Sequence, residues 1–393
     1  MNASSKWDIE REASVKPMSN SLTYRAYKYR IYPDQTQKSI LNDCFLATNF
    51  LYNCFLEKKI EAHKRSESYP YSQMLKEVSI SRADYPAIAV LTNYSIRSVL
   101  NELENTWQKF KLLPNKDYPH FKSAKYGTQS CSIGSLESQI RFEDKKIYIK
   151  RLGYIKYVQS RPLPNNAQLA RIVITCNTSG TYHLIVVFTA IIDKQTEKTN
   201  RLVGLDFSMN QLFVASDKNL QTDYEYLKQY KRNKQKLALE QQKLSKLELH
   251  SNNYQKQFRH VAKVHQKIVD SRHDYLQKMS TKIADNYDGV AIETLDIQEM
   301  ARNPIFSKAV NDDGWYYFIN ALAYKMKDRN KPLVKIDRWY PSSKKCHVCG
   351  YVNKDVVLGV KTWKCPICGK VHDRDTNAAI NILNEGKNKM KLN

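Results

Sequence analysis

Residues 346–383 read CHVCGYVNKDVVLGVKTWKCPICGKVHDRDTNAAINIL, and two kinds of metal chemistry lie side by side in them. Cys346, Cys349, Cys365 and Cys368 make two Cys-x2-Cys pairs separated by fifteen residues, each pair followed by a glycine, Gly350 and Gly369. A two-residue gap lets both sulfurs of one tight turn face a single ion, and the glycine takes a backbone angle that a side chain resists. The spacing predicts a zinc ribbon holding one structural Zn²⁺ per chain. Four thiolates fill a tetrahedral shell, so the ribbon has no open position for water activation and does no chemistry itself. Disulfides are the other use of paired cysteines, but no secretory leader precedes them and the chain is lysine-rich.

Directly after the ribbon, His372-Asp373-Arg374-Asp375-Thr376-Asn377 opens a segment that carries Ala379, Ile382 and Leu383 at helical spacing. An acid is thereby placed at a helix start beside a closed metal domain. Asp373 and Asp375 are both suited to capping that helix, and the local pattern alone does not separate a cap from a ligand.

Outward from this stretch, the 393 residues carry a net charge of +24 and twenty-six tyrosines. Charge of that size on a folded chain predicts a polyanionic partner, and tyrosine rings offer flat faces on which bases stack. An anionic membrane would want a basic amphipathic anchor, and the sequence has none; nor does any stretch read as a membrane span. Cys44, Cys54, Cys131 and Cys176 lack ligand spacing and read as buried thiols.

Residues 1–21 are polar and aperiodic and read as a disordered tail. LTYRAYKYRIYP (22–33) alternates apolar or aromatic residues with basic ones, predicting a strand with one wet, positive face. Two helical stripes follow, through Leu41, Phe45, Phe50, Leu51, Cys54, Phe55 and Ile60, and through Ile96, Val99, Leu100, Leu103, Trp107 and Phe110. Both are expected to be core. Between them and the next strands, Tyr118 to Lys122 forms a basic connector, either a packed loop or a nucleic-acid contact. Strands return between about 140 and 192, so 22–33 and 126–198 together read as a β-barrel interrupted by a helical insertion at 34–125.

At Arg201 the pattern changes to LVGLDFSMNQLFVAS, an apolar run that delivers Asp206, turns and returns. DGVAIETL (288–295) repeats the device and delivers Glu293. A carboxylate at the end of a buried run is costly unless it meets a cation. Residues 221–288 between them predict a basic helical hairpin broken at Ser251-Asn252-Asn253. A helix over Trp315–Lys327, a strand at 333–337 and the ribbon at 340–371 complete a second region, 199–393. Asp206, Glu293 and Asp375 lie far apart in sequence. Two end strands of what reads as one mixed sheet and the third opens a helix, an arrangement in which three acids converge on a pair of hard cations.

GLDFSMNQLFVAS, VAIETLDIQEM, WYPSSKKCHVCG and KCPICGKVHDRDTNAAINIL, in that order, resemble the TnpB (OrfB) family of bacterial insertion sequences, compact relatives of type V CRISPR effectors. AYKYRIYP, the FLYN at 50–53 and the DYPHFKS at 117–123 extend the resemblance over nearly everything from residue 22 onward. The resemblance implies an α/β plus β-barrel architecture: a RuvC-like, RNase H-fold nuclease domain with its zinc ribbon, and a wedge barrel with a helical recognition insertion. It implies an RNA-guided DNA endonuclease whose partners are a guide RNA from the mobile element and target double-stranded DNA, acting in the bacterial cytoplasm and on the nucleoid when bound. Asp206, Glu293 and Asp375 match the three catalytic acids, expected to hold two Mg²⁺, which leaves Asp373 as the cap. Weaker local matching assigns recognition of the DNA flank to Tyr71, Gln73, Asn93, Tyr94 and Arg97. The sequence departs from the family at Ser208-Met209-Asn210, where a glycine and a lysine are usual; the change touches the turn and not the carboxylate. A guide-dependent binder that does not cut, and a transposase acting on element ends without RNA, are the alternatives.

Overall fold

The computed structural model describes residues 22–80, 85–112, 117–124, 127–134, 140–191, 197–208, 211–220, 224–249, 251–296, 314–357 and 359–391. The tail at 1–21, the loop through Asn303-Pro304 and the turn residues Met209 and Asn210 lie outside them. The chain divides between Ile191 and Ile192 into two compact units.

The first unit is built on a seven-stranded antiparallel sheet. Its strands are β1 (Leu22–Tyr32), β2 (Gln129–Ile133), β3 (Ile140–Glu143), β4 (Lys146–Ile149), β5 (Gly153–Val158), β6 (Gln168–Cys176) and β7 (Tyr182–Ile191). They run in the order β2-β6-β7-β1-β5-β4-β3. The sheet curls into a half-barrel; among the described residues β2 and β3 do not pair, so the expected barrel stays open along that seam. Over its second half β1 alternates as the sequence predicts, whereas Arg25 is half-buried on the inward side. Tyr29 and Ile31 point into the core, while Tyr24, Lys28, Arg30 and Tyr32 point to solvent.

The helical insertion holds α1 (Gln35–Lys64), α2 (Tyr71–Ile80) and α3 (Asn93–Lys111). A reciprocal capping box starts α1: Asp34 Oδ1 accepts from Gln37 N at 2.8 Å and Asp34 N donates to Gln37 Oε1 at 3.0 Å. Leu41, Phe45, Leu51 and Phe55 are buried as expected, but Phe50 is exposed, because the buried stripe runs on through Thr48, Tyr52 and Lys59. In α3 every expected core position is buried except Phe110, which is half-buried. Tyr118 settles the question over its connector: the ring lies among His63, Trp107 and Phe110, so that part of the loop is packed. Of the four scattered cysteines only Cys131 is buried; Cys44, Cys54 and Cys176 are half-buried.

The second unit centres on a four-stranded sheet of order β11-β10-β8-β9. It comprises β8 (Leu202–Phe207), β9 (Phe213–Ala215), β10 (Gly289–Ile292) and β11 (Leu333–Lys335). β8, β10 and β11 are parallel and β9 is antiparallel to β8. The hairpin of α4 (Tyr224–Ser245) and α5 (Asn252–Asn286) leaves the sheet and returns. It is zipped by Tyr226 stacked on Tyr275, by Arg272 on the Tyr230 hydroxyl and by Gln257 on Glu240. The root of α5 and α6 (Gly314–Lys327) bury Tyr275, Met279, Ile283, Trp315, Phe318 and Leu322 against the strands. A small hairpin, β12 (Thr362–Lys364) and β13 (Val371–Asp373), runs into α7 (Arg374–Lys391). No helix among the described residues is long and apolar enough to cross a membrane.

α7 lies unusually close to the sheet because two glycines let it. A Cβ on Gly204 of β8 would collide with the carbonyl oxygen of Ala379 and the backbone nitrogen of Leu383, and one on Gly386 of α7 with Ala291 of β10. The helix therefore rests backbone to backbone on the strands that carry the acids.

Candidate functional site

Parallel pairing sets two of the acids side by side. Gly204 is level with Ala291 and Leu205 with Ile292, so the next residues, Asp206 and Glu293, leave adjacent strands together at their carboxyl ends. Glu293 is held there by the backbone, its Oε1 accepting from Phe207 N at 3.0 Å, and its carboxyl shares a hydrogen bond with that of Asp206. Asp206 is buried and Glu293 partly so. Asp375, in the first turn of α7, approaches near enough for its charge to act on Asp206.

Burial, then the charge of Glu293, then that of Asp375 push the Asp206 carboxyl well above the ordinary carboxylate range, while Arg374 opposes them. Burial also raises Glu293, offset by the Phe207 amide, Asp206 and Arg374. Two desolvated acids that resist ionising together are suited to a hard cation, which supplies the missing charge through oxygen ligands. The carboxylates are less tightly drawn together than the thiols. Among the described residues only the four cysteines form a group of three or more His, Cys, Asp or Glu ligand atoms all within 4.8 Å.

The neighbouring Asp373 does something else. Its Oδ1 accepts from Thr376 N at 2.9 Å, the bond of an N-cap, so the two acids of the HDRD run divide capping from approach to Asp206.

The cysteine turns are near copies of each other. Gly350 N donates to Cys346 O and Gly369 N to Cys365 O, both at 2.9 Å, and the two glycines have φ of +81° and +70°. Cys346 Sγ lies 3.6 Å from Cys368 Sγ and Cys349 Sγ 3.6 Å from Cys365 Sγ. A tetrahedral ion with bonds of about 2.3 Å to sulfur needs edges of about 3.8 Å, so the four sulfurs fit zinc. His372, buried, sets Nε2 at 3.0 Å from Cys346 Sγ as a partner to that ligand.

Sequence reasoning missed the groups that hold these parts. The Phe207 amide carries no side-chain signal. Arg374 sits inside the quoted stretch, yet only the fold brings its charge to the acids. Asn377 and Asn381 on α7 are buried, and their amides reach the backbone on either side of Cys346. Their spacing of four residues on one helix face was the available sign.

In the first unit, the solvent face of the curled sheet interleaves cations with rings. Tyr24, Lys28, Arg30 and Tyr32 lie exposed along β1, with Tyr32 level with Lys156 of β5, and Tyr154 is exposed on the same strand as Lys156. Arg30 stands 5.4 Å from the Tyr32 ring centre, Tyr148 meets Tyr154 at 5.2 Å, and Arg141 caps Tyr148 at 4.7 Å. The flank candidates are on helix surfaces. Gln73 of α2 and Asn93, Tyr94 and Arg97 of α3 are exposed, and Tyr71 is half-buried.

The chain is 30% identical over 366 residues to a Streptomyces pristinaespiralis protein provisionally named RNA-guided DNA endonuclease, spanning 92% of this chain and 89% of that one. The chain belongs to the TnpB (OrfB) family. An Escherichia coli member with the same provisional description, InsQ, is 25% identical over 92% of each chain, and a TnpB-like mimivirus protein is 24% identical over 91% of this chain and 72% of its own. Three family descriptions match in order: a helix-turn-helix domain at 18–68, a probable transposase at 182–304 and a Cas12f1-like TNB domain at 315–382. In structure, this TnpB-family chain is similar to a Cas12f1 determined with sgRNA and target DNA, with a TM-score of 0.55 and 13% identity over 93% of this chain and 99% of that one. That likeness concerns the fold.

Proposed function

We propose that this protein is an RNA-guided DNA endonuclease of an insertion sequence, cutting guide-matched DNA beside a short flanking motif at a RuvC-like centre formed by Asp206, Glu293 and Asp375. The observation that carries the reading is the pairing of Asp206 with Glu293 at the carboxyl ends of two parallel strands, under the acidic start of α7. A mixed sheet with one antiparallel hairpin, crossed by a helix that brings a third acid, supports the RNase H-type assignment. The relatives' names support the activity and the partners, guide RNA and target DNA.

Bound at these acids, Mg²⁺ ions would supply an activated water and neutralise the leaving oxygen of a phosphodiester. The protein's own part is to keep three carboxylates together in a partly dry site, with the Phe207 amide orienting Glu293 and Arg374 moderating the repulsion. Zinc on Cys346, Cys349, Cys365 and Cys368 would close the ribbon without taking part in the reaction. The cation-and-tyrosine face of the sheet in the first unit would carry RNA by phosphate contacts and stacking. Tyr71, Gln73, Asn93, Tyr94 and Arg97 would read the flanking duplex, with base pairing reading the rest.

The deciding experiment pairs the purified protein and its RNA with duplex DNA that matches the guide next to randomised flanks, in Mg²⁺ and in EDTA. Cutting is expected only with Mg²⁺, complementarity and a narrow set of flanks. Asp206→Ala, Glu293→Ala and Asp375→Ala should each abolish it while target binding persists. Guide-dependent binding without cutting by the unmutated protein would replace this reading with a silent binder, and joining of element ends without RNA would replace it with a transposase.

A further inference from the structure

Two amides on α7 have no reason to be buried if the helix merely packs on the sheet. Asn377 and Asn381 are 1% and 2% exposed and stand one turn apart on the same side of the helix. A buried side-chain amide costs stability unless its donors and acceptor are met. The donors of both, and the acceptor of Asn377, are met from one source, the chain around the first zinc ligand. Asn377 Nδ2 donates to Lys345 O at 2.8 Å, with longer approaches of 3.4 Å to Ser342 O and Ser343 O. Its Oδ1 accepts from His347 N at 3.1 Å and lies 2.9 Å from His347 Nδ1. Asn381 Nδ2 donates to Lys345 O at 2.5 Å and Ser342 O at 2.8 Å. Cys346 is thus bracketed: the residue before it and the residue after it are both fastened to α7.

Another side of the same helix presses on β8 through Gly204 and on β10 through Gly386, which sets how far the helix stands from the strands. Contact of that kind does not by itself set rotation about the helix axis. Rotation decides where Asp375, two residues before Asn377, lies relative to Asp206. The structure assigns to Asn377 and Asn381 the role of positioning residues that fasten α7 to the zinc ribbon and thereby hold Asp375 in register with Asp206 and Glu293. This rests on the acid centre proposed above. It gives the ribbon a part in the chemistry as a brace: it contributes no ligand to the acid site, but it fixes the element that does.

The test uses the full-length, zinc-loaded protein with its RNA. Asn377→Ala, Asn381→Ala and the double variant are compared with Asp375→Ala and Asp373→Ala. Each is measured for zinc content, target binding, Mg²⁺ dependence of cutting, and Mn²⁺ binding by electron paramagnetic resonance without substrate. Each single variant keeps one amide on the Lys345 carbonyl, so the ribbon should stay loaded. We expect zinc and target binding to be retained while the half-saturating Mg²⁺ rises, and Mn²⁺ affinity falls, by roughly 10–100-fold, the usual size of a supporting-residue effect at a metal centre. The change should match Asp375→Ala in direction and be absent from Asp373→Ala. Unchanged Mn²⁺ affinity in the asparagine variants alongside a loss in Asp375→Ala would overturn the latch and leave the acid centre standing. Unchanged Mn²⁺ affinity in Asp375→Ala itself would overturn the acid centre instead. Loss of zinc or of folding in both single variants would also overturn the latch, since the amides would then belong to the ribbon's own stability.

Discussion

Asp206 illustrates how a single residue is both costly and useful. Its carboxyl is pushed up by burial and by Glu293 and Asp375, so without metal the folded chain holds a proton there more tightly than the unfolded chain does. A group whose pKa is higher folded than unfolded stabilises fully below its unfolded value, near 4, and loses that contribution as pH rises through the folded value. In EDTA, stability should therefore decline from about pH 4 upward as Asp206 and Glu293 ionise. Asp206→Asn should raise the melting temperature of the metal-free protein at neutral pH and flatten the decline, and Mg²⁺ should stabilise the unmutated chain while leaving the variant little changed; thermal melts across pH, with and without Mg²⁺, check this. Asp373→Ala removes a cap and should cost about 0.5–2 kcal/mol in denaturant melts while cutting continues. These roles were legible to different depths. Asp206 and Glu293 stood out because each ends a short apolar run. Asp375 and Asp373 are both good cap residues that the local pattern does not separate; the family resemblance assigned the cap to Asp373, and the bond from Thr376 N to its carboxylate agrees. Arg374 and the Phe207 amide act through space, which spacing along the chain does not encode.

Among the elements, those with strict periodicity came through the reading intact. The second half of β1 alternates as its pattern says, and the five innermost positions of the α3 stripe are buried. The miss fell where an apolar residue lies just off the stripe, as with Phe50, while the barrel-like module came out as a curled half-barrel in which, among the described residues, β2 and β3 do not pair. The close seating of α7 was not legible either. Gly204 reads like any glycine in an apolar strand, and its reason appears only when Ala379 and Leu383 arrive from far along the chain. Gly204→Ala forces the helix and strand apart and should cost about 1–3 kcal/mol in denaturant melts, as overpacking does. Because the helix carries Asp375, cutting should fall further than global stability does; measuring both on one preparation separates the two effects.

For the molecule as a whole, the charge of +24 and the tyrosine-rich sheet face point to phosphate-dominated binding. RNA should co-purify as a discrete species from the neighbourhood of the gene. With six to ten phosphate contacts, affinity should drop on the order of a thousandfold or more between about 50 and 200 mM salt. Sequencing the bound RNA and repeating filter binding over that range checks both statements; a random sample of cellular transcripts would contradict the first.

The position of α7 late in the chain has a consequence for how such a gene decays. A ribosome delivers the tyrosine-lined sheet first, then Asp206 and Glu293, and Asp375 only with α7. A stop codon or frameshift arising between β11 and α7 leaves the first unit's sheet coded in full, while the strands of the second lose the helix that covers them and the acid it brings. With RNA carried on that sheet face as proposed, copies eroding in a genome would lose the cut before they lose the hold on RNA, so truncated relatives are the place to look for proteins that still occupy a guide and no longer threaten the chromosome.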